Sequence, residues 1–287
     1  MMELSTWSQL GGVEMIKGRE IWVTDVNRKK RQTILLVHGF PTFSYDWAPI
    51  WEALSNYRLL AVDMLGFGLS EKPYPHKYSI HEQADIVCAA VVKAGIKNCH
   101  ILAHDYGDTV VQEIMARGDL GFEISSVCFL NGGLFPETHQ ALRIQKLLLS
   151  PLGPLINKLT TKGRFDTSFW SVFGPDTKPS GAELALYWEI INSGGGRHMF
   201  HSLITYMRDR RKNRERWIDA IGNFEGRVAL INGSYDPVSG AHMVARYKEL
   251  LGAPDFLREY DNIGHYPQLE APDRVANDYL SFLGGQS

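Results

Sequence analysis

Apolar residues along this chain fall into short runs rich in β-branched side chains, separated by longer stretches in which they recur every three or four positions. The runs at 20–26, 33–37, 58–62, 100–103, 124–130, 227–231 and 256–260 predict strands, and 78–94, 107–116, 241–251 and 273–282 have helical spacing. Parallel neighbours in a sheet need crossovers, and helices between the strands supply them. The expected fold class is therefore α/β, a mostly parallel sheet covered by helices on both faces. From about 134 to 221 the rhythm breaks: strand signals vanish, and aromatic and basic residues at helical spacing take over. This stretch is expected to be an inserted helical cap (134–221) on a core domain made of 1–133 and 222–287.

Composition narrows the ligand more than the fold. Lys plus Arg number 30 against 32 Asp plus Glu, so no overall field draws the protein to nucleic acid or an anionic membrane, and a small, mostly uncharged ligand is expected. The charged run from Arg208 to Arg216 mixes signs at helical spacing and reads as a solvated helix face. Cys88, Cys99 and Cys128 lie in apolar stretches without metal-ligand spacing and are expected to be reduced core thiols. His76, His81, His139 and His242 form no ligand spacing either, and no metal or cofactor is expected. The first twenty residues carry no apolar run long enough for a signal peptide, and nothing approaches the roughly 18 residues of a membrane span. The expectation is a cytoplasmic protein, monomeric or weakly homo-oligomeric.

The segment 100–108, His-Ile-Leu-Ala-His-Asp-Tyr-Gly-Asp, is a strand running into a helix with Asp105 at the turn. Such a turn lifts one side chain above the sheet edge and aims a helix N-terminus at it, which suits an anionic nucleophile. Alone, the pattern also fits a helix-capping aspartate. Ala103 replaces the usual first glycine of the turn and is still small. Upstream, Val37-His38-Gly39-Phe40-Pro41 follows a strand, and the amides of Phe40 and Tyr106 are placed for an oxyanion hole. Downstream, Asp236 and His265 follow later strands, giving the nucleophile, acid, base order of an α/β-hydrolase.

A carboxylate is ionised at neutral pH and suits displacement at saturated carbon, forming an alkyl ester. His265, oriented by Asp236, would then activate the water that breaks it. Asp63 is expected to satisfy backbone amides, and His38 and His104 to orient loops. Asn131, an amide at another strand end, cannot replace Asp236 as the acid.

At these residues the sequence resembles the epoxide hydrolase and haloalkane dehalogenase branch of the α/β-hydrolases, both of which use an aspartate nucleophile. It is similar over nearly its whole length to the mesoderm-specific transcript protein family, through His38-Gly-Phe-Pro-Thr, His104-Asp-Tyr-Gly-Asp108, Phe135-Pro-Glu-Thr-His139 and His265-Tyr-Pro-Gln-Leu-Glu270. The resemblance implies epoxide hydrolysis with Tyr206 donating to the ring oxygen. Tyr206 stands where the family has the second of its two cap tyrosines; the counterpart of the first is missing from Phe169-Trp-Ser-Val-Phe-Gly174, and Tyr187 and His201 are the substitutes. For a dehalogenase, Trp170 or Trp188 would have to donate to halide, since Tyr106 and Phe40 stand where donors are common in those enzymes. Ester or lactone hydrolysis and non-catalytic ligand binding are the further alternatives. Phe40, Phe135, Trp170, Phe173, Tyr187 and Trp188 are expected to wall a small apolar pocket.

Overall fold

The computed structural model describes residues 2–284. Its strands are β1 (Gly11–Ile16), β2 (Arg19–Val26), β3 (Thr33–Val37), β4 (Arg58–Val62), β5 (Asn98–His104), β6 (Glu123–Leu130), β7 (Arg227–Gly233) and β8 (Phe256–Tyr260). They form one sheet in the order β1-β2-β4-β3-β5-β6-β7-β8. From β4 through β8 every pairing is parallel, and only the β1-β2 and β2-β4 pairings are antiparallel. Strand β3 and the inner parts of β4 (59–62), β5 (101–103), β6 (127–130) and β7 (228–231) are apolar without alternation and buried, because helices cover both faces. β1 escaped sequence reading because Gly11 and Gly12 begin it and its apolar Val13 and Met15 face solvent as an edge.

The helices are α1 (Leu4–Trp7), α2 (Ile80–Lys93), α3 (Tyr106–Met115), α4 (Arg143–Leu149), α5 (Gly153–Lys158), α6 (Lys162–Trp170), α7 (Gly181–Asn192), α8 (Phe200–Leu203), α9 (Tyr206–Lys212), α10 (Arg214–Gly222), α11 (Ala241–Leu251), α12 (Pro267–Glu270) and α13 (Pro272–Gly284). Helix α2 starts where the Ser79 side chain accepts from the Glu82 amide, a normal N-cap. Between β6 and β7 only helices α4 to α10 and a short 3-10 stretch occur, so the expected insertion is helical. Its last helix, α10, packs on α3 of the core: Trp217 Nε1 donates to Glu113 (2.8 Å) and Arg216 pairs with the same carboxylate. No helix among the described residues is long and apolar enough to cross a membrane. All three cysteines are buried and free.

The start of α3 is pressed against β3. A Cβ on Gly107 would lie 2.3 Å from the Val37 carbonyl oxygen and 2.6 Å from that of His38, both backbone atoms that cannot swing away. Gly107→Ala is therefore expected to destabilise the fold by up to about 3 kcal/mol, lowering Tm by roughly 5–10 °C in a thermal melt. An unchanged Tm would mean that the turn before α3 relaxes freely.

Candidate active site

At the end of β5 the backbone folds back at Asp105 with φ 48° and ψ −103°, a conformation disfavoured for any side-chain-bearing residue. A capping aspartate would accept from its own helix, but Asp105 makes no such bond. Its Oδ2 instead accepts from the backbone N–H of Phe40 (3.1 Å). Gly39 permits this approach, since a Cβ there would meet His104 Nδ1 at 2.6 Å and the Asp105 Cβ at 3.0 Å. Asp105 is thus turned away from helix capping and toward the loop after β3.

His265 lies across from it, in the loop after β8. Its Nδ1 donates to Asp236 Oδ2 (2.7 Å), and its Nε2 stands 3.9 Å from Asp105 Oδ1. Asp236 also accepts from Val238 N (2.7 Å), Ser239 N (3.1 Å), Ser239 Oγ (2.8 Å) and Asn131 Nδ2 (3.0 Å). Burial alone would raise the Asp236 carboxyl, but the charge and hydrogen bond of His265 with these donors hold it below its usual range. Burial likewise opposes protonation of His265, yet the charge and hydrogen bond of Asp236 and the charge of Asp105 outweigh it and raise the imidazole to about 9.

The neighbouring polar groups hold this arrangement. Burial lowers His104 to about 3, keeping it neutral, and its Nε2 donates to the His265 carbonyl (2.8 Å). His38 Nδ1 donates to Gly39 O (2.9 Å) while its Nε2 accepts from Met64 N (3.0 Å). Asp63 accepts from Ser44 N (2.9 Å) and Leu69 N (2.7 Å). Asn131 bonds both Gly233 N and Gly233 O besides Asp236, tying the β6 and β7 ends together. Glu270 accepts from Gly264 N, Tyr266 N and Gly174 N, which joins the His265 loop to the insertion.

Two residues of α9 reach this centre. Tyr206 is 1% exposed and meets Tyr106 edge-on (4.9 Å between centroids); the Arg210 guanidinium interacts with its hydroxyl, whose hydrogen has no acceptor among the described residues. One turn later Arg210, 2% exposed, lies against the Tyr206 ring (4.5 Å) and donates through Nη2 to the Asp105 carbonyl (3.2 Å). That nitrogen is also 3.7 Å from Asp105 Oδ1, while Nε donates to Thr109 (2.7 Å). The expectation of a solvated charged face therefore fails at Arg210. The alternating signs hid it, although its spacing of four from Tyr206 places both on one helix face.

A cavity of about 90 Å³ opens over Asp105 and His265, walled mainly by Phe40, Leu142, Leu148, Phe165, Phe169 and Phe200, with Tyr266 beside the histidine. Of the six expected wall residues, Phe40 lines it and the other five do not, and Tyr206 packs against Phe40 (6.2 Å between ring centroids) without itself joining the lining. Phe135 is buried elsewhere, 6.3 Å from the Tyr247 ring, and Phe173 stacks on Tyr266. Tyr187 donates to the buried Asp46 (2.9 Å), Trp188 packs on Phe165, and His201 meets Tyr74 outside the lining. Trp170 is 48% exposed under the Lys178 ammonium. Phe165 and Phe169 share the inner face of α6, and one further residue turns Trp170 about 100° away. That i, i+4 pair was the available sequence signal for the true wall.

The sheet order, the strand-end positions of Asp105, Asp236 and His265, and the inserted helices now meet a match to the alpha/beta hydrolase family over residues 34–278. The chain belongs to this family. The hydrolase is 39% identical over 293 residues to the mesoderm-specific transcript homolog protein of Bos taurus, covering 98% of this chain and 88% of that one. It shares its fold with a haloalkane dehalogenase loop variant from Bradyrhizobium elkanii (TM-score 0.81, 18% identity, 96% of each chain). An epoxide hydrolase solved without ligand shares it as well (TM-score 0.76, 18% identity, 96% of this chain and 99% of that one).

Proposed function

We propose that this hydrolase acts on a small apolar substrate through a covalent alkyl ester on Asp105, and that its reaction is epoxide hydrolysis to a diol. The observation that carries the reading is a carboxylate at the strained turn, bonded by the Phe40 amide, with the buried Tyr206 near enough to feel its charge and the Tyr206 hydroxyl hydrogen given to no acceptor. An unsatisfied buried hydroxyl is unfavourable unless something supplies its acceptor, and an epoxide oxygen does. In the first step an Asp105 oxygen attacks a ring carbon, the C–O bond breaks, and Tyr206 donates its proton to the emerging alkoxide. Burial and the Asp105 charge hold the Tyr206 phenol above its ordinary value, and the Arg210 guanidinium at its ring favours the tyrosinate as it forms. In the second step water loses a proton to His265 Nε2 and attacks the ester carbonyl. The amides of Phe40 and Tyr106 receive the oxyanion; its collapse expels the diol oxygen, which takes the remaining water proton as the Asp105 carboxylate is restored, and protonated His265 returns its proton to the Tyr206 oxygen through water. The inserted helices act as the cap that keeps this chemistry away from bulk water.

Haloalkane dehalogenation is the less supported alternative, because both expected indole donors are turned elsewhere, Trp170 to solvent and Trp188 against Phe165. The two are separated by Tyr206→Phe. Loss of a general acid typically slows turnover about 100-fold or more, so epoxide turnover is expected to fall by that factor. Hydrolysis of a nitrophenyl ester, whose leaving group needs no proton, should change by less than about threefold on the same logic. Epoxide turnover untouched by Tyr206→Phe would remove Tyr206 from the mechanism.

A further inference from the structure

Beside the cavity over Asp105 lies a wider recess of about 830 Å³, which shares Leu142 with it. Arg143 and Lys146 of α4 and Arg211 of α9 stand around it, all exposed, and Arg210 and His139 complete its lining. Among the described residues no acidic side chain lines it. In the same part of the chain Arg214 and Arg246 share Glu137, and Arg216 is paired with Glu113. Among the described residues the side chains of Arg143, Lys146 and Arg211 make neither a hydrogen bond nor an ion pair, so their charge faces the recess uncompensated. His139 adds an independent sign. Its Nδ1 accepts from Arg210 Nη1 (3.3 Å), which leaves the ring hydrogen on Nε2, and that buried donor has no acceptor.

Leu142 lines both spaces, and Arg210, which lines the recess, donates to the Asp105 backbone carbonyl, so a molecule reacting at Asp105 that extends past Leu142 meets these cations. We propose that the substrate carries an anionic head, a carboxylate or a phosphate, held in this recess by the exposed Arg143, Lys146 and Arg211, with the buried Arg210 charge behind them, while its short apolar body occupies the cavity. The inference rests on reading that cavity as the substrate site. It also revises the expectation of an uncharged ligand, which followed from overall charge balance and was blind to a local excess.

The test is isothermal titration of the full chain with hexanoate, hexyl phosphate, hexanol and inorganic phosphate, repeated on the Arg143→Glu, Lys146→Glu, Arg211→Glu triple variant. All three positions are exposed, and hexanol binding reports that the triple variant is still folded. The tighter of the two hexyl anions is expected to bind at least about tenfold better than hexanol, a preference that high salt and the triple variant abolish while hexanol affinity stays constant. Whichever anion binds tighter identifies the head. Equal binding of hexanol and both anions, or a preference that survives the triple substitution, overturns the proposal. Inorganic phosphate binding as tightly as hexyl phosphate also overturns it, because head and body would then belong to separate molecules. None of these ligands has a group Asp105 can displace, so a positive result here with no ester at Asp105 would sink the proposed reaction and leave the anion site standing.

Discussion

With His265 replaced by glutamine, an epoxide offered to the protein is expected to remain on Asp105 and add its whole mass. Ester formation needs the carboxylate and the ring-oxygen donor, whereas ester breakdown needs a base to take a proton from water. In the structure His265 Nε2, 3.9 Å from Asp105 Oδ1, is the group placed to do so, with Nδ1 already given to Asp236. Steady-state turnover should fall about 10³- to 10⁴-fold, the range for loss of an essential base. Intact-protein mass spectrometry with peptide mapping checks this, using an Asp105→Ala, His265→Gln double variant as the unlabelled control. A haloalkane leaving an alkyl group without halogen would move the assignment to dehalogenation. No label from any epoxide, haloalkane or ester would remove Asp105 as the nucleophile and favour ligand binding without turnover.

Asp105, Asp236 and His265 were legible in the sequence because each follows a strand, and a parallel sheet delivers the carboxyl ends of its strands to one edge. The turn at Asp105 and the glycines at 39 and 107 are local signals, readable without knowing what packs on them. The insertion offered no such anchor. Whether Trp170 or Phe169 faces the cavity depends on the rotation of α6 about its axis, which tertiary packing decides. Arg210 shows the same limit with charge: alternating signs describe a helix as a whole and not which single cation is turned inward. Asn131 was read for what an amide cannot do, and its actual contacts depend on β6 and β7 lying side by side.

Asp236→Asn should be nearly as damaging as the loss of His265 itself, although Asp236 touches no substrate. Its carboxylate receives five hydrogen bonds, four of them at Oδ2, that of His265 Nδ1 included. An asparagine must place an NH₂ among those donors. If it faces His265, the ring turns to the tautomer with hydrogen on Nε2, and that nitrogen can no longer accept a proton from water. Turnover is expected to drop about 10³- to 10⁴-fold, with the Asp105 ester accumulating as in His265→Gln.

The pH behaviour separates this from general damage. In the free enzyme the charges of Asp236 and Asp105 hold His265 at about 9, so the ring is protonated at neutral pH and not yet a base. Forming the ester removes the charge on Asp105, one of the causes of that elevation, and His265 becomes a base in the step that requires one. Wild-type ester breakdown should therefore rise with pH and level off below the free-enzyme value. In Asp236→Asn the charge contributed by Asp236 is gone as well, so whatever rise remains must lie at still lower pH. Following decay of the adduct mass from mildly acid to mildly alkaline conditions checks both limbs. A variant that clears its adduct at the wild-type rate, or keeps the wild-type pH limb, would show that His265 does not depend on Asp236 for its proton.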